Sequence, residues 1–102
     1  MLIYHILDSA QWIDYQESEF WEPESVVTEG FIHCSFEPQL DDVIERYFKN
    51  EKAVIVLTID SKKLDAKLVE EASTENEIYP HIYGVLNKDA VVETESREVN
   101  RD

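Results

Sequence analysis

Apolar residues fall in short runs along this chain, and the runs change period from one segment to the next. Leu2–Leu7 is apolar and β-prone, broken only by His5, and predicts a buried strand. Asp8 or Ser9 then offers an N-cap for a short helix over residues 10–15. Residues 17–29 are acidic around Phe20 and Trp21, carry Pro23 between two glutamates, and fit no period. They predict a loop with room for one helical turn. Gly30 opens a second strand, running from Phe31 to Ser35 or Phe36. Pro38 starts the clearest helix, where Leu40, Val43, Ile44, Tyr47 and Phe48 recur at i, i+3, i+4, i+7 and i+8. Asn50 can end it. Residues 54–59 predict a third, largely buried strand, residues 67–71 a fourth, and residues 73–77 a polar loop. Residues 81–85 and 90–94 predict two more strands with a turn at Lys88 and Asp89. The sum is α+β: about five or six short strands with one or two helices placed early, not a regular α/β alternation. Residues 1–95 are expected to form a single domain and residues 96–102 a polar, frayed C-terminal tail.

Composition narrows the partners. Among 102 residues, 9 are Lys or Arg and 23 are Asp or Glu, a net charge of −14 with His neutral. Such a surface argues against nucleic acid and against anionic membranes. Hydrophobic residues at 43% and aromatics at 11% exclude a disordered acidic tail. A domain of this length buries roughly two thirds of its unfolded surface, enough for one core but not for a large enclosed chamber. A ligand is therefore expected in a surface cleft, and the expected partner is a small molecule bound by a monomer. The first residues show no basic and no long apolar stretch, and the longest apolar run, residues 53–57, is far short of the ~20 that a membrane helix needs. Cys34 is the one cysteine, so no disulfide forms within the chain, and a cytoplasmic setting is expected.

The three histidines carry the candidate chemistry, because His5, His33 and His81 each sit in an apolar, β-like segment. A buried imidazole is costly unless its nitrogens find partners, so each is either a satisfied core histidine or part of a shared site. Strand alternation places Phe31, His33 and Ser35 on one face and Ile32, Cys34 and Phe36 on the other. His33 and Ser35 can thus enter a cleft together, while Cys34 points away and reads as a small buried hydrophobe, not a nucleophile. The histidines with Glu70 or Glu71 show no zinc-site spacing, and no metal is expected. Ser35 lies on no sharp strand-to-helix turn, so a nucleophile elbow is absent. Two glycines exclude both a dinucleotide fingerprint and a P-loop. Trp12, Trp21, Tyr4 and Tyr83 are the candidates to stack on a flat ring, with core packing as the alternative for each. Arg46 and Arg97 read as surface charges.

Several segments together resemble one family. Ile3-Tyr4-His5-Ile6, Trp12, Glu29-Gly30-Phe31-Ile32-His33-Cys34-Ser35, Gln39, Asp60, Leu64, Glu70 or Glu71, and Pro80-His81-Ile82-Tyr83-Gly84 through Ala90-Val91-Val92 are similar, in order, to the domain of unknown function 952 family. Val85 stands where that family usually has proline. The resemblance implies a fold like that of the ADP-ribosyltransferase superfamily, a split β-sheet with NAD bound in a cleft between two small sheets. It further implies His5, His33, His81 and Glu71 as catalytic residues, with Glu70 as the other possible acid. Ser35, Tyr83, Trp12 and Trp21 would be ligand-binding. The leading functional expectation is thus a histidine-lined cleft that binds NAD or a related nucleotide-like small molecule for ADP-ribosyl transfer or hydrolysis. The alternative is a non-enzymatic ligand-binding or interaction module with structural histidines.

Overall fold

A computed structural model describes residues 1–73 and 76–99. Along the chain run β1 (Leu2–Leu7), α1 (Ser9–Glu17), β2 (Phe20–Trp21), α2 (Glu24–Thr28), β3 (Ile32–His33) and α3 (Leu40–Tyr47). They are followed by β4 (Ala53–Asp60), β5 (Lys67–Ala72), β6 (Ile78–Tyr83), β7 (Leu86–Asn87) and β8 (Val91–Glu98). All pairings are antiparallel. One sheet has the order β1-β4-β8, a second β3-β6-β5, and β2 pairs with β7 as a small ribbon. The architecture is the expected small α+β fold, with several antiparallel strands and three α-helices among the described residues.

The first sheet is covered on both faces, which explains the unbroken apolar runs of β1 and β4. Ile3, Leu7, Leu57 and Ile59 enter the main core with Ile32, Ile82 and Leu86 from the other sheets. Ile6, Val54 and Val56 face the opposite way, onto Leu40 and Ile44 of α3. The helical stripe is thus real, with Tyr47 at its end left 70% exposed. The two larger sheets meet at one isolated bridge. Tyr4 N–H donates to the Ser35 carbonyl at 2.9 Å, and Ser35 N–H returns to the Tyr4 carbonyl at 2.7 Å.

The structure departs from the sequence expectations in several places. Residues 17–29 are not merely a loop: β2 and α2 lie within them. Two-residue strands such as β2 and β7 are too short to show a period, and they raise the strand count above the expected five or six. The strand expected from Phe31 onward is laddered only at Ile32–His33, because Ser35 turns to pair with β1. The helix expected from Pro38 begins as a 3-10 turn at Glu37–Gln39 and ends at Tyr47, short of Asn50, where Phe48 N–H caps onto the Ile44 carbonyl. β6 begins three residues before His81 and contains Pro80. Proline fits this central strand because its carbonyl accepts from Cys34 N–H at 3.1 Å. A strand residue's N–H and C=O point to the same side, so the missing donor faces β3 and the β5 ladder loses nothing. Finally, β8 runs to Glu98 and Val99 is buried against Val54 and Val56. Pairing with β4 therefore reaches into the segment expected as a tail, and residues 100–102 of that segment lie outside the described residues.

Candidate functional site

His5 lies on β1 at the joint of the sheets, facing the main core with Ile3 and Leu7. Its Nδ1 is 2.8 Å from the carbonyl of His33 on β3, and Trp21 of β2 donates its indole N–H to Nε2 at 3.0 Å. A carbonyl only accepts, so Nδ1 carries the proton and Nε2 is the acceptor. The neutral tautomer is thereby fixed. Burial pushes the imidazole down to about 4, against the smaller opposing pull of the His33 carbonyl. One ring ties together all three sheets.

His33 and His81 are direct cross-strand partners on β3 and β6, with ring centroids 5.5 Å apart. Each meets a carboxylate. Nδ1 of His81 lies 2.7 Å from Oε1 of Glu71, which also accepts the Tyr83 hydroxyl at 2.6 Å. Glu71 sits diagonally across the β5–β6 ladder from His81, whereas Glu70 pairs with Pro80 on the other face. Of the two candidate acids, only Glu71 reaches the histidine. Hydrogen bonds from Tyr83 first and His81 second hold its carboxyl below the usual range, and the same bond raises the Tyr83 phenol. Nε2 of His33 lies 2.9 Å from Oε2 of Glu29, a pair about half exposed at 56% and 49%. Phe31 stacks on His81 at 4.1 Å and meets the His33 ring edge-on at 4.8 Å, so one face of the His81 ring is covered.

A cleft of about 490 Å³ opens where the sheets join, lined by His5, His33, Ser35 and His81 among others. The structure therefore brings the three histidines to one cavity. Other lining groups come from Gln11 of α1, Glu24 and Ser25 of α2, Tyr47 and Phe48 at the end of α3, Ser73 just after β5, and Tyr79 of β6. No Lys or Arg lines it among the described residues. A second, more open groove of about 560 Å³ runs past Asp14, Glu19, Phe20 and Glu22, without a histidine. Its acidic wall presents no convergent acid–base pair, so the histidine cleft is the better candidate.

The expected ring-stacking residues stand elsewhere. Trp12 stacks on Tyr15 at 5.7 Å, and Trp21 is buried with its indole committed to His5. Tyr4 packs on the second core, and Tyr83 holds Glu71 beside the cleft. None of the four lines the cavity; Tyr47, Phe48 and Tyr79 do. The sequence placed Tyr47 and Phe48 on the helix stripe, and at the C-terminal end of α3 they border the cleft together with Val43 of the same stripe. Glu29 was visible four residues before His33, but its role needed the α2–β3 geometry. Cys34 is fully buried with its thiol pushed up by desolvation, and Ser35 spends its backbone in the sheet joint. Arg46 pairs with Asp42, and Arg97 with Asp41 and Glu95. Among the described residues no group of three His, Cys, Asp or Glu side chains is placed to hold a metal ion. No helix among them is long and apolar enough to cross a membrane.

Fold and cleft together define a small α+β domain whose histidines converge at the joint of two antiparallel sheets. The chain belongs to the family described as Protein of unknown function (DUF952), whose model matches residues 6–94. It is similar to the crystal structure of protein CC0527 from Caulobacter crescentus, a structural-genomics target, with 27% identity and a TM-score of 0.82 over 94% of this chain and 85% of that one. The solution structure of CC0527 gives 26% identity and a TM-score of 0.81 over 97% and 86%. No curated protein matches the sequence.

Proposed function

We propose that the cleft binds a nucleotide-like small molecule through its base and sugar, and that His81 activates a hydroxyl or water for transfer or hydrolysis at the N-glycosidic bond. In this reading the two sheets hinged at Tyr4 and Ser35 correspond to the split sheet of the ADP-ribosyltransferase superfamily, and NAD is the substrate which that resemblance implies. The observation that carries the reading is the 2.7 Å contact between Glu71 and Nδ1 of His81. An ionised carboxylate accepts, so Nδ1 keeps its proton and the Nε2 lone pair becomes the base. Nε2 takes the proton of the attacking hydroxyl as its oxygen bonds the anomeric carbon. The glycosidic bond breaks with its electron pair on the leaving base, which departs neutral if it was a pyridinium. Tyr47, Phe48 and Tyr79 supply faces for a flat ring, and Ser25 and Ser35 supply hydroxyls. The lining thus suits base and sugar, but among the described residues no lining cation meets a diphosphate. Nicotinamide release from NAD and from nicotinamide riboside tests the proposal. Release lost in both His81→Ala and Glu71→Ala supports it, and no release from either compound at millimolar concentration defeats it.

The second reading, a non-enzymatic ligand-binding or interaction module, draws on His5, whose two ring nitrogens are both used inside the protein. Thermal melts of His5→Ala, His33→Ala and His81→Ala separate the two. Uniform destabilisation of all three favours structural histidines.

A further inference from the structure

The charge of the cleft narrows its ligand. A pocket for a phosphorylated ligand needs fixed cations or a ring of free donors against the phosphate. Here the described lining holds no Lys or Arg, and its one carboxylate is Glu24. The histidines do not replace the missing cations. His5 is held neutral by burial, with Nδ1 on the His33 carbonyl and Nε2 on Trp21. Nε2 of His33 faces Glu29 and Nδ1 of His81 faces Glu71, so any positive charge on either ring is already balanced by a carboxylate. The whole chain adds a field of net charge −14. The rest of the lining is uncharged: apolar and aromatic side chains such as Val43, Tyr47, Phe48 and Tyr79, serine hydroxyls, and the amide of Gln11.

We infer that the cleft selects an uncharged or cationic N-glycoside, a nucleoside without phosphate, over the corresponding nucleotide. The inference rests on the glycoside reading above and fixes its substrate class. Discrimination is by repulsion: each phosphate added to the ligand weakens binding about tenfold, the order that one like charge gives near a protein surface. Because the cause is electrostatic, added salt shrinks the discrimination, which a steric block would not show.

The test compares nicotinamide riboside with nicotinamide mononucleotide and NAD, and adenosine with AMP, titrated into the full chain while the histidine imidazole signals are followed. The expected result is tighter binding of both nucleosides, by about tenfold or more over their nucleotides at low salt, with the ratio falling as salt rises. In Glu24→Lys the ratio is expected to fall further. Nucleotides bound as tightly as nucleosides, or more tightly, overturn this inference and leave the glycoside reading standing. A ratio that ignores both salt and Glu24→Lys overturns the electrostatic cause. Failure of all five compounds to bind at millimolar concentration overturns the inference and the glycoside reading together.

Discussion

The ring of His5 donates from Nδ1 to the backbone carbonyl of His33 at 2.8 Å, so one candidate histidine holds the strand that carries another. Its opposite nitrogen takes the indole proton of Trp21. His5 therefore positions β3 relative to β1 and β2. Replacing it with alanine strands a partly buried carbonyl and a buried indole N–H, and a loss of about 2–4 kcal/mol is expected. The amides dissect the two bonds. In His5→Asn the side-chain amide can reach the His33 carbonyl, and in His5→Gln the side-chain oxygen can reach Trp21. Both variants should melt between wild type and His5→Ala. Amide variants no better than alanine would contradict the two-bond geometry.

The same contacts set a pH dependence. In the unfolded chain His5 titrates near 6.5; in the folded protein it is lowered to about 4. Between those values the unfolded state binds more protons, so stability falls as pH falls. The contribution is fully present above about 6.5 and lost on approach to about 4, amounting to about 3 kcal/mol. Glu71 acts with the same sign at lower pH, because its carboxyl is held below the usual range and its contribution disappears only as pH falls through that lowered value. Urea midpoints measured at neutral pH and at about pH 5 should separate in wild type and draw together in His5→Asn, which cannot titrate there. Equal slopes in the two proteins would show that His5 titrates normally when folded.

Much of the frame was readable from residue pattern because it depends on burial. β1, β4 and α3 are long enough to show their periods, and Ile32 and Cys34 alternate with His33 as a pleated strand requires. What failed to show was set by tertiary contacts. β2 and β7 exist because Phe20 and Trp21 meet Asn87 and Leu86 across the fold. For Trp21, in its acidic loop, ligand stacking and core packing were both open, and the structure takes the second: the ring is buried and its indole is claimed by His5. Other residues of the family-like motifs also prove structural. The Gln39 side chain accepts from Phe36 N–H and donates to the Ile78 carbonyl, and Asn87 links Asp65 N–H to the Lys63 carbonyl. A motif recovers such residues, but only geometry separates those that hold the cleft from those that line it.

Glu71 joins two groups that can be read separately. Its carboxylate accepts from both Tyr83 and His81, and the bond to Tyr83 is the main cause of the raised phenol. Glu71→Gln removes the charge while keeping size and an acceptor. The Tyr83 phenol should then titrate at lower pH than in wild type, followed through its ring-carbon NMR signal because the chain has five tyrosines. The melt should change little, since the Tyr83 bond is exposed and the glutamine oxygen still accepts from Nδ1 of the buried His81. A Tyr83 titration that is the same in both proteins would show that the Glu71–Tyr83 bond does not persist in solution.

The two glycines make a matched pair for testing how the site strands are held. Gly30 precedes Phe31 with φ +92°, and Gly84 follows Tyr83 with φ +143°, both in the region that side chains disfavour. A Cβ on Gly30 meets nothing within 4 Å, whereas one on Gly84 lands 3.0 Å from Cβ of Ala66. Gly30→Ala therefore carries backbone strain alone, about 1 kcal/mol. Gly84→Ala adds a steric clash and should cost about 2–3 kcal/mol. The clash is also relievable: Ala66→Gly in the Gly84→Ala background should restore part of the loss, while the same change beside Gly30→Ala should restore none. Because Tyr83 adjoins Gly84, displacement of this turn should also loosen the Tyr83–Glu71 bond and lower the Tyr83 titration, and the double variant should bring both readouts back together. Recovery of stability without recovery of the tyrosine titration would place the strain elsewhere in the turn.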